Sequence, residues 1–402
     1  MKGKLSTIKI AKYLIGFYFA YNVFLIPIGF FIPRLSIVIL FLAGLLTLSS
    51  YSIRLTKEFR NLIFFIIYAF FTGLIVAVDH GMIIGKTKFL VESVISGIIL
   101  LNVTNDENDF RTIVGLFALG AIILGVYSFF NLDYLFYSKQ GRLSLGEDFN
   151  ANTYGVMLMY GVWSIVFFLG NDTTKIVRMA VIVFLSLLLL YIIIQTGSRK
   201  SAIGSLLILV SYAIIVVVGG GASKYSSKVI IIPLFIGLIV FAYFRYIDDF
   251  LEKSETLVYR MRDIGASEEN RGALILDTLR VWSENPLFGV GIDNNRYHTI
   301  TKMYAHNSYV EILACTGVFG AIIFFTIFWR MISFLIVKIK KVRQLFANLS
   351  EYYLCILILV YLFVCFTQIN IYNQTHMFIT FFILTFISIS SKNNEKSIRS
   401  AV

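Results

Sequence analysis

The residues best suited to chemistry lie in one long polar segment, 248–306, of an otherwise apolar chain. This segment holds seven of the 35 basic residues and ends at His306, in the string Ala305-His306-Asn307-Ser308-Tyr309. A neutral imidazole near neutral pH can take a proton from a hydroxyl. We expect Asn307 or Ser308 to cap a following helix, which leaves His306 at the helix start. The alternative is that His306 is only a polar residue at a membrane interface.

Arginine is the second residue type that suits a reaction here. Arg271 opens a segment that predicts a short amphipathic helix on the membrane surface, with Ser267 or Asn270 as its cap and its end at Asn285-Pro286. The residues that recur there at helical spacing are Leu274, Ile275, Thr278, Leu279 and Trp282. A guanidinium binds phosphate oxygens in pairs and stays charged. Arg271 therefore suits an anionic headgroup, unless it only anchors the helix at the headgroup layer.

Arg199 lies in a second basic element, the tight hairpin Gln195-Thr196-Gly197-Ser198-Arg199-Lys200-Ser201. The same two readings apply to it, a ligand for phosphate or a helix anchor. Pro286-Leu287-Phe288-Gly289-Val290-Gly291 predicts a stiff turn whose two glycines allow close backbone approach.

Polar residues near the end of the chain form a third group. His376 lies close to Gln368, Asn370, Asn373 and Gln374. These side chains either line a groove that contacts substrate or join two helices by hydrogen bonds.

Neither a metal nor a cofactor is expected. The three cysteines, Cys315, Cys355 and Cys365, lie in apolar runs without paired spacing, and Asp248-Asp249 has no supporting histidine or carboxylate cluster. The net charge of +12 is spread over the loops between apolar runs, which argues against nucleic acid as a partner.

The composition requires a membrane protein as the platform for these residues. The chain is 58% hydrophobic and 16% aromatic, with a mean hydropathy of +0.81. Continuous apolar runs of about 18 to 20 residues predict helices rather than a barrel. The fold class expected is all-α, polytopic, with about twelve transmembrane helices. The predicted spans are 12–31, 35–49, 61–78, 88–103, 112–130, 151–170, 176–195, 201–218, 228–247, 317–337, 351–369 and 372–390.

The distribution of positive charge predicts the orientation. With the N-terminus inside, the cytoplasmic segments hold 19 lysines and arginines, whereas the short outer loops hold seven. Both termini are then cytoplasmic and the 248–306 loop is extracytoplasmic. The expected organisation is nine spans in 1–247, one large catalytic loop in 248–306, three spans in 307–390 and a tail in 391–402.

Three of these motifs together resemble the O-antigen ligase and polysaccharide polymerase superfamily of bacterial membrane proteins. The motifs are Thr196-Gly197-Ser198-Arg199, the run from Arg271 to Gly291, and His306-Asn307-Ser308-Tyr309-Val310-Glu311 with Gly317-Val318-Phe319-Gly320. Their order, spacing and predicted side of the membrane agree with that family. One departure is that Leu274 and Ile275 stand where a tryptophan is usual.

The resemblance implies a fold similar to C-type glycosyltransferases and glycosyl transfer from undecaprenyl diphosphate at the outer face of the bacterial cytoplasmic membrane. Arg199 and Arg271 would hold the diphosphate while His306 deprotonates or orients the acceptor hydroxyl, with inversion and without metal. Implied partners are the lipid-linked oligosaccharide, the bilayer, a chain-length regulator and a flippase. Further substrate-binding candidates are Arg296, Arg280, Arg260, Asn307, Tyr309 and His376.

Three functions remain open at this point. A polymerase for O-antigen or capsule transfers the glycan to another lipid-linked repeat unit, and a ligase transfers it to lipid A core. A flippase of the same lipid-linked sugars is the non-enzymatic alternative, but it would carry basic residues inside its spans. The predicted spans hold few charges, mainly Glu92 and Arg330. Both substrates of a polymerase are of one kind, and no feature of the chain points to a site for lipid A core, so the expectation is a polymerase, with the ligase as its alternative.

Overall fold

The structure is a computed structural model that describes residues 2–49, 53–132, 136–137, 142–145, 149–171, 175–218, 264–341, 348–369 and 371–401. A short antiparallel ribbon joins Phe136–Tyr137 (β1) to Leu143–Ser144 (β2). The α-helices of this part of the chain are α1 (Lys2–Ala20), α2 (Leu35–Leu48), α3 (Lys57–Val76), α4 (His80–Val103), α5 (Glu107–Phe130), α6 (Ala151–Leu169), α7 (Ile176–Gln195), α8 (Arg199–Val218), α9 (Ile264–Glu284), α10 (Asn295–His298), α11 (Ser308–Lys340), α12 (Leu349–Cys365) and α13 (Gln374–Ala401).

The all-α polytopic membrane architecture is confirmed. Eight helices within the described ranges are long and apolar enough to cross a membrane, and α2 and α12 are shorter apolar helices. The predicted span at 228–247 and the candidate Arg260 lie outside the described residues.

Two helices form the centre of the bundle. The most apolar stretches of α6 and α13 are 78% and 83% buried inside the protein, compared with 33% for α3 and 39% for α7. Both central helices are rich in aromatic residues, and the fully buried Trp163 of α6 donates its indole N–H to the Tyr353 carbonyl at 2.9 Å. The outer helices leave large apolar side chains exposed, as lipid contact requires.

Helix starts differ from the predicted spans where polar residues cap a helix. α4 begins at His80 rather than 88, because Asp79 Oδ1 accepts the N–H of Met82 at 2.9 Å. α11 begins at Ser308 rather than 317, because Asn307 caps it. The predicted caps Ser267 and Asn270 are wrong: α9 already begins at Ile264, so both residues lie within the helix.

The charged residues predicted within spans have polar partners. Glu92 accepts a hydrogen bond from the Tyr18 hydroxyl at 3.0 Å. The Arg330 Nε atom lies 3.2 Å from the Glu58 carboxylate. These contacts join α1 to α4 and α3 to α11, so both charges have structural partners within the bundle.

Candidate active site at one end of the bundle

His306 stands just before α11 in a left-handed backbone conformation, with φ of 50°. A residue with a side chain adopts this conformation only when its surroundings hold it there. The predicted cap is confirmed: Asn307 Oδ1 accepts the N–H groups of Tyr309 at 3.0 Å and Val310 at 3.2 Å. The helix start therefore positions the imidazole.

The residues on either side of His306 are also held. The buried Glu311 carboxylate accepts the N–H of Ala305 at 3.4 Å and the amide N–H of Asn295 at 2.8 Å. The Ser308 hydroxyl donates to the Gln368 carbonyl at 2.5 Å. Because buried polar groups need such partners, these bonds restrict the segment around His306 on both sides.

A glycine kink joins α11 to the turn that follows α9. Gly317 is the one non-helical residue inside α11, with φ of 63° and ψ of −172°. The kink leaves the Ala314 and Cys315 carbonyls free to accept the N–H groups of Val290 at 3.1 Å and Gly291 at 2.8 Å. The turn at 286–291 therefore binds to the backbone of α11.

Close backbone contact explains the glycines on both sides of this joint. A Cβ atom on Gly317 would lie 2.2 Å from the Leu287 carbonyl oxygen. A Cβ on Gly289, which has φ of 68°, would lie 2.5 Å from the Ala314 carbonyl oxygen. The predicted close approach of this turn is confirmed, and it sets the position of α9 relative to α11.

A cavity of about 450 Å³ opens where α4, α6, α8 and α13 begin and α12 ends. It is lined by Lys86, Asn150, Asn152, Thr153, Lys200, Arg271, Tyr304, His306, Thr367, Gln368, Ile369, Tyr372 and Asn373. These lining residues include two lysines and an arginine but no carboxylate, so the cavity is suited to an anion.

Lys200 in the first turn of α8 is one of these cations. Its Nζ atom donates to Gln368 Oε1 at 2.7 Å and to the Thr367 carbonyl at 3.3 Å. Arg271 and Arg142 lie close enough to act on it electrostatically. The neutral oxygen acceptors orient the amino group of Lys200, and an anion in the cavity favours its charged form.

The surroundings of His306 favour its neutral form. Burial lowers the pKa of His306 below its ordinary value of 6.5, and the positive charges of Lys200 and Arg271 lower it further. The imidazole is therefore uncharged at neutral pH and can accept a proton. The arrangement combines a proton acceptor with the side chains of Lys200 and Arg271 in one cavity.

A buried carboxylate lies behind another part of the wall. Asp293 is 1% exposed and its Oδ2 atom lies 3.1 Å from Lys86 Nζ. Its backbone N–H donates to the Tyr372 hydroxyl at 2.8 Å. Burial and then the charge of Asp293 raise the pKa of Tyr304 to about 12. Asp293 thus forms an ion pair with Lys86, hydrogen-bonds Tyr372 and acts electrostatically on Tyr304. All three of these residues line the cavity.

Residues 183–325 match a family model described as O-antigen ligase. This segment belongs to the O-antigen ligase and polymerase superfamily. A search of curated proteins found no match.

The matched segment, 183–325, supplies Lys200, Arg271, Tyr304 and His306 to the cavity. It also contains both halves of the glycine joint, the turn at 286–291 and the kink at Gly317. The rest of the wall, including Lys86 and residues 367–373, comes from outside the matched segment. The cavity therefore depends on chain elements on both sides of the family match.

The structure brings two of the three predicted catalytic residues, Arg271 and His306, to the cavity wall. Arg199, the third, is half-buried in the first turn of α8, beside Lys200, and is not among the lining residues. Arg296 lies behind the wall, 3.9 Å from Asp293 and over the Tyr304 ring.

The other predicted substrate contacts occupy structural positions in the described part of the chain. Arg280 forms ion pairs with Asp277 at 3.0 Å and Glu284 at 2.7 Å on its own helix. Asn307 caps α11 as described above. Tyr309 packs on the Phe366 ring with centroids 4.7 Å apart. His376 is fully buried, with Nδ1 3.0 Å from the Tyr160 hydroxyl. Of the polar group around His376, Gln368 and Asn373 line the cavity.

Sequence reasoning missed several lining residues. Lys200 adjoins the predicted Arg199, and only the rotation of α8 decides which side chain points into the cavity. Lys86, Asn152 and Tyr372 carry no local motif, because they approach the site from distant parts of the chain. Among the described residues no group of three or more His, Cys, Asp or Glu side chains is placed to hold a metal ion.

Proposed function

We propose that this chain is a bacterial surface-polysaccharide polymerase, acting on O-antigen or capsule precursors. It transfers a growing glycan from undecaprenyl diphosphate to a lipid-linked repeat unit at the outer face of the cytoplasmic membrane. The observation that carries the proposal is the convergence of Lys200, Arg271 and His306 on one cavity. The superfamily match and the charge bias of the loops, 19 against seven, support it.

In this reaction His306 takes the proton of an acceptor sugar hydroxyl. The hydroxyl oxygen forms a bond to the anomeric carbon of the donor as the bond from that carbon to the diphosphate oxygen breaks. The bonding electrons leave with undecaprenyl diphosphate, and a single displacement inverts the anomeric carbon. The transition state resembles an oxocarbenium ion, and negative charge grows on the phosphate oxygens.

The cations of the cavity stabilise that growing charge. Arg271 and Lys200 face the cavity directly, and Arg199 stands one residue before Lys200. Cationic groups held in place before the reaction contribute most where charge develops, and here they take the role that a metal ion plays in other glycosyltransferases. We therefore propose metal-independent transfer with Arg271 and Lys200 as the diphosphate ligands, whereas Arg199, which does not line the cavity, adds positive charge beside them.

The His306→Ala variant tests the proposal. Without the proton acceptor, elongation of lipid-linked repeat units should fall by roughly 100-fold or more. The measurement is the product ladder made by purified protein in nanodiscs, with Lys341→Gln as a control at an exposed position after α11, outside the cavity. A folded His306→Ala protein that elongates at the normal rate would refute the assignment.

An O-antigen ligase is the second candidate, favoured by the description of the matching family model. It uses the same donor chemistry but transfers the glycan to lipid A core. Repeat-unit lipid supplied alone distinguishes the two, because a polymerase lengthens it and a ligase does not. Product that forms only when lipid A core is added would establish the ligase.

A further inference from the structure

A second cavity, of about 550 Å³, adjoins the catalytic one. It lies along the first half of α4 and shares two residues, Lys86 and Tyr372, with the first cavity. Its other lining residues are Asp79, Gly81, Met82, Gly85 and Phe89. The two cavities are therefore neighbours separated by a wall that includes a lysine and a tyrosine.

Glycines on one face of α4 leave the space that forms this second cavity. Gly81, Gly85 and Phe89 are four residues apart and share a helix face. A Cβ atom on Gly85 would meet no atom within 4 Å. From Gly81 to Phe89 the helix rises about 12 Å, so the groove is long enough for an extended ligand.

The wall between the cavities is held in place. The Lys86 Nζ atom lies 5.1 Å from the centre of the Tyr372 ring and 3.1 Å from Asp293. The Tyr372 hydroxyl accepts the Asp293 N–H at 2.8 Å. A ligand in the second cavity therefore contacts the same two side chains that face the catalytic cavity.

The chemistry of the second cavity differs from that of the first. It contains a carboxylate, Asp79, whose pKa is lowered by hydrogen bonds from the Met82 N–H and the Tyr297 hydroxyl. A carboxylate has about four acceptor sites, so these two bonds leave capacity for ligand hydroxyls. Tyr372 and Phe89 add aromatic surface, and Gly85 allows close approach to the backbone. A sugar matches these features, because its hydroxyl groups donate hydrogen bonds and its ring has flat apolar faces.

We infer that the groove along α4 is the binding subsite for the acceptor glycan, and that the catalytic cavity holds the donor diphosphate. This inference rests on the proposed function. Carboxylate, aromatic rings and open backbone suit an uncharged sugar, whereas the carboxylate-free wall of the first cavity suits phosphate. Lys86, between them, contacts the acceptor near the hydroxyl that attacks.

The Gly85→Trp variant tests the inference, because it fills the groove without altering a residue of the catalytic cavity. The matched control is Ile84→Trp on the adjacent, 57% exposed position of α4. Two substrates separate the sites: a repeat-unit lipid capped at its attacking hydroxyl, which can only donate, and an uncapped repeat unit with a non-cleavable linkage in place of the diphosphate, which can only accept and is supplied at varied concentration. Gly85→Trp should raise the KM for the acceptor by about tenfold or more and leave the KM for the capped donor unchanged.

The possible results lead to different conclusions. An unchanged acceptor KM in a folded Gly85→Trp protein, or an equal effect of Ile84→Trp, overturns the inference. A rise in the KM for the donor alone would mean that the groove holds the donor. If the wild-type protein transfers nothing between these lipids, the proposed function itself fails, because that result does not depend on the groove.

Discussion

At the scale of single residues, the cations of the cavity have two linked effects. Lys200 and Arg271 lower the pKa of His306. In the free protein the imidazole therefore stays neutral at a lower pH than an ordinary histidine does. A bound diphosphate places negative charge beside the same groups, which opposes this effect and raises the pKa. The imidazole thus becomes more basic when the donor is bound.

This linkage predicts a shift in the pH profile. The neutral imidazole is the active form, so activity falls as pH drops through the pKa of His306. The acid limb of kcat/KM, which reports the free protein, should lie below pH 6.5, and the acid limb of kcat should lie at higher pH. The Lys200→Gln variant removes a positive charge near His306. The acid limb of its kcat/KM profile should therefore move to higher pH, and its rate of elongation should fall.

The control for this prediction is Lys341→Gln, which removes one positive charge at an exposed position after α11, outside the cavity. Initial rates of elongation between about pH 5 and pH 8, the range in which an ordinary histidine changes charge, would provide the measurement. Identical acid limbs in wild type and Lys200→Gln would show that Lys200 does not act on the imidazole.

At the scale of elements, the joint between α9 and α11 connects the arginine and histidine motifs. The turn at 286–291 fills the hydrogen-bonding gap that the Gly317 kink opens in α11. The two glycine-containing motifs therefore have one structural purpose, which is to fix the helix of Arg271 against the helix that follows His306. Buried backbone groups without partners are costly, so each side of the joint requires the other.

The Gly317→Ala variant should disrupt this joint. Its backbone conformation is nearly restricted to glycine and costs about 1–3 kcal/mol with a side chain, and the added Cβ overlaps the Leu287 carbonyl. We expect a lower apparent Tm in detergent and loss of elongation. Gly272→Ala in α9 is the control: its Cβ meets no atom within 4 Å, and alanine favours a helix by about 0.5–1 kcal/mol. Equal Tm values for the two variants would contradict the proposed joint.

Most helices could be predicted from the sequence, because lipid requires continuous apolar runs of a fixed length. The errors occur where polar residues extend a helix. Hydropathy does not detect the first turns of α4, which begins at His80 after its cap Asp79. It also misses the first turns of α11, which contain the buried Glu311, and only the cap predicted at Asn307 or Ser308 indicates their start. The early start of α9 was missed because Ser267 and Asn270 favour caps but also occur inside helices.

At the scale of the whole molecule, the cavity could be predicted only in part. His306 and Arg271 were recognisable because their motifs are local. Lys86 and Tyr372 reach the wall from opposite parts of the chain, through contacts of α4 with α13 that no local pattern records. The choice between Arg199 and Lys200 depends on the rotation of α8, which is apolar on all sides and therefore gives no amphipathic signal.

The proposed reaction requires the cavity to face the outside of the cell membrane, and α11 allows a direct test of this. After its kink at Gly317, the 23 residues of α11 at 318–340 extend about 34 Å, which is long enough to cross a membrane, so we expect a position before α11 and one after it to lie on opposite sides. Ile300, which is 81% exposed, precedes α11, and the exposed Lys341 follows it.

The three native cysteines are at most 5% exposed and give little background labelling. In intact spheroplasts a membrane-impermeant maleimide should label Ile300→Cys, and Lys341→Cys only after permeabilisation. The opposite pattern would place the cavity in the cytoplasm and contradict transfer at the outer face.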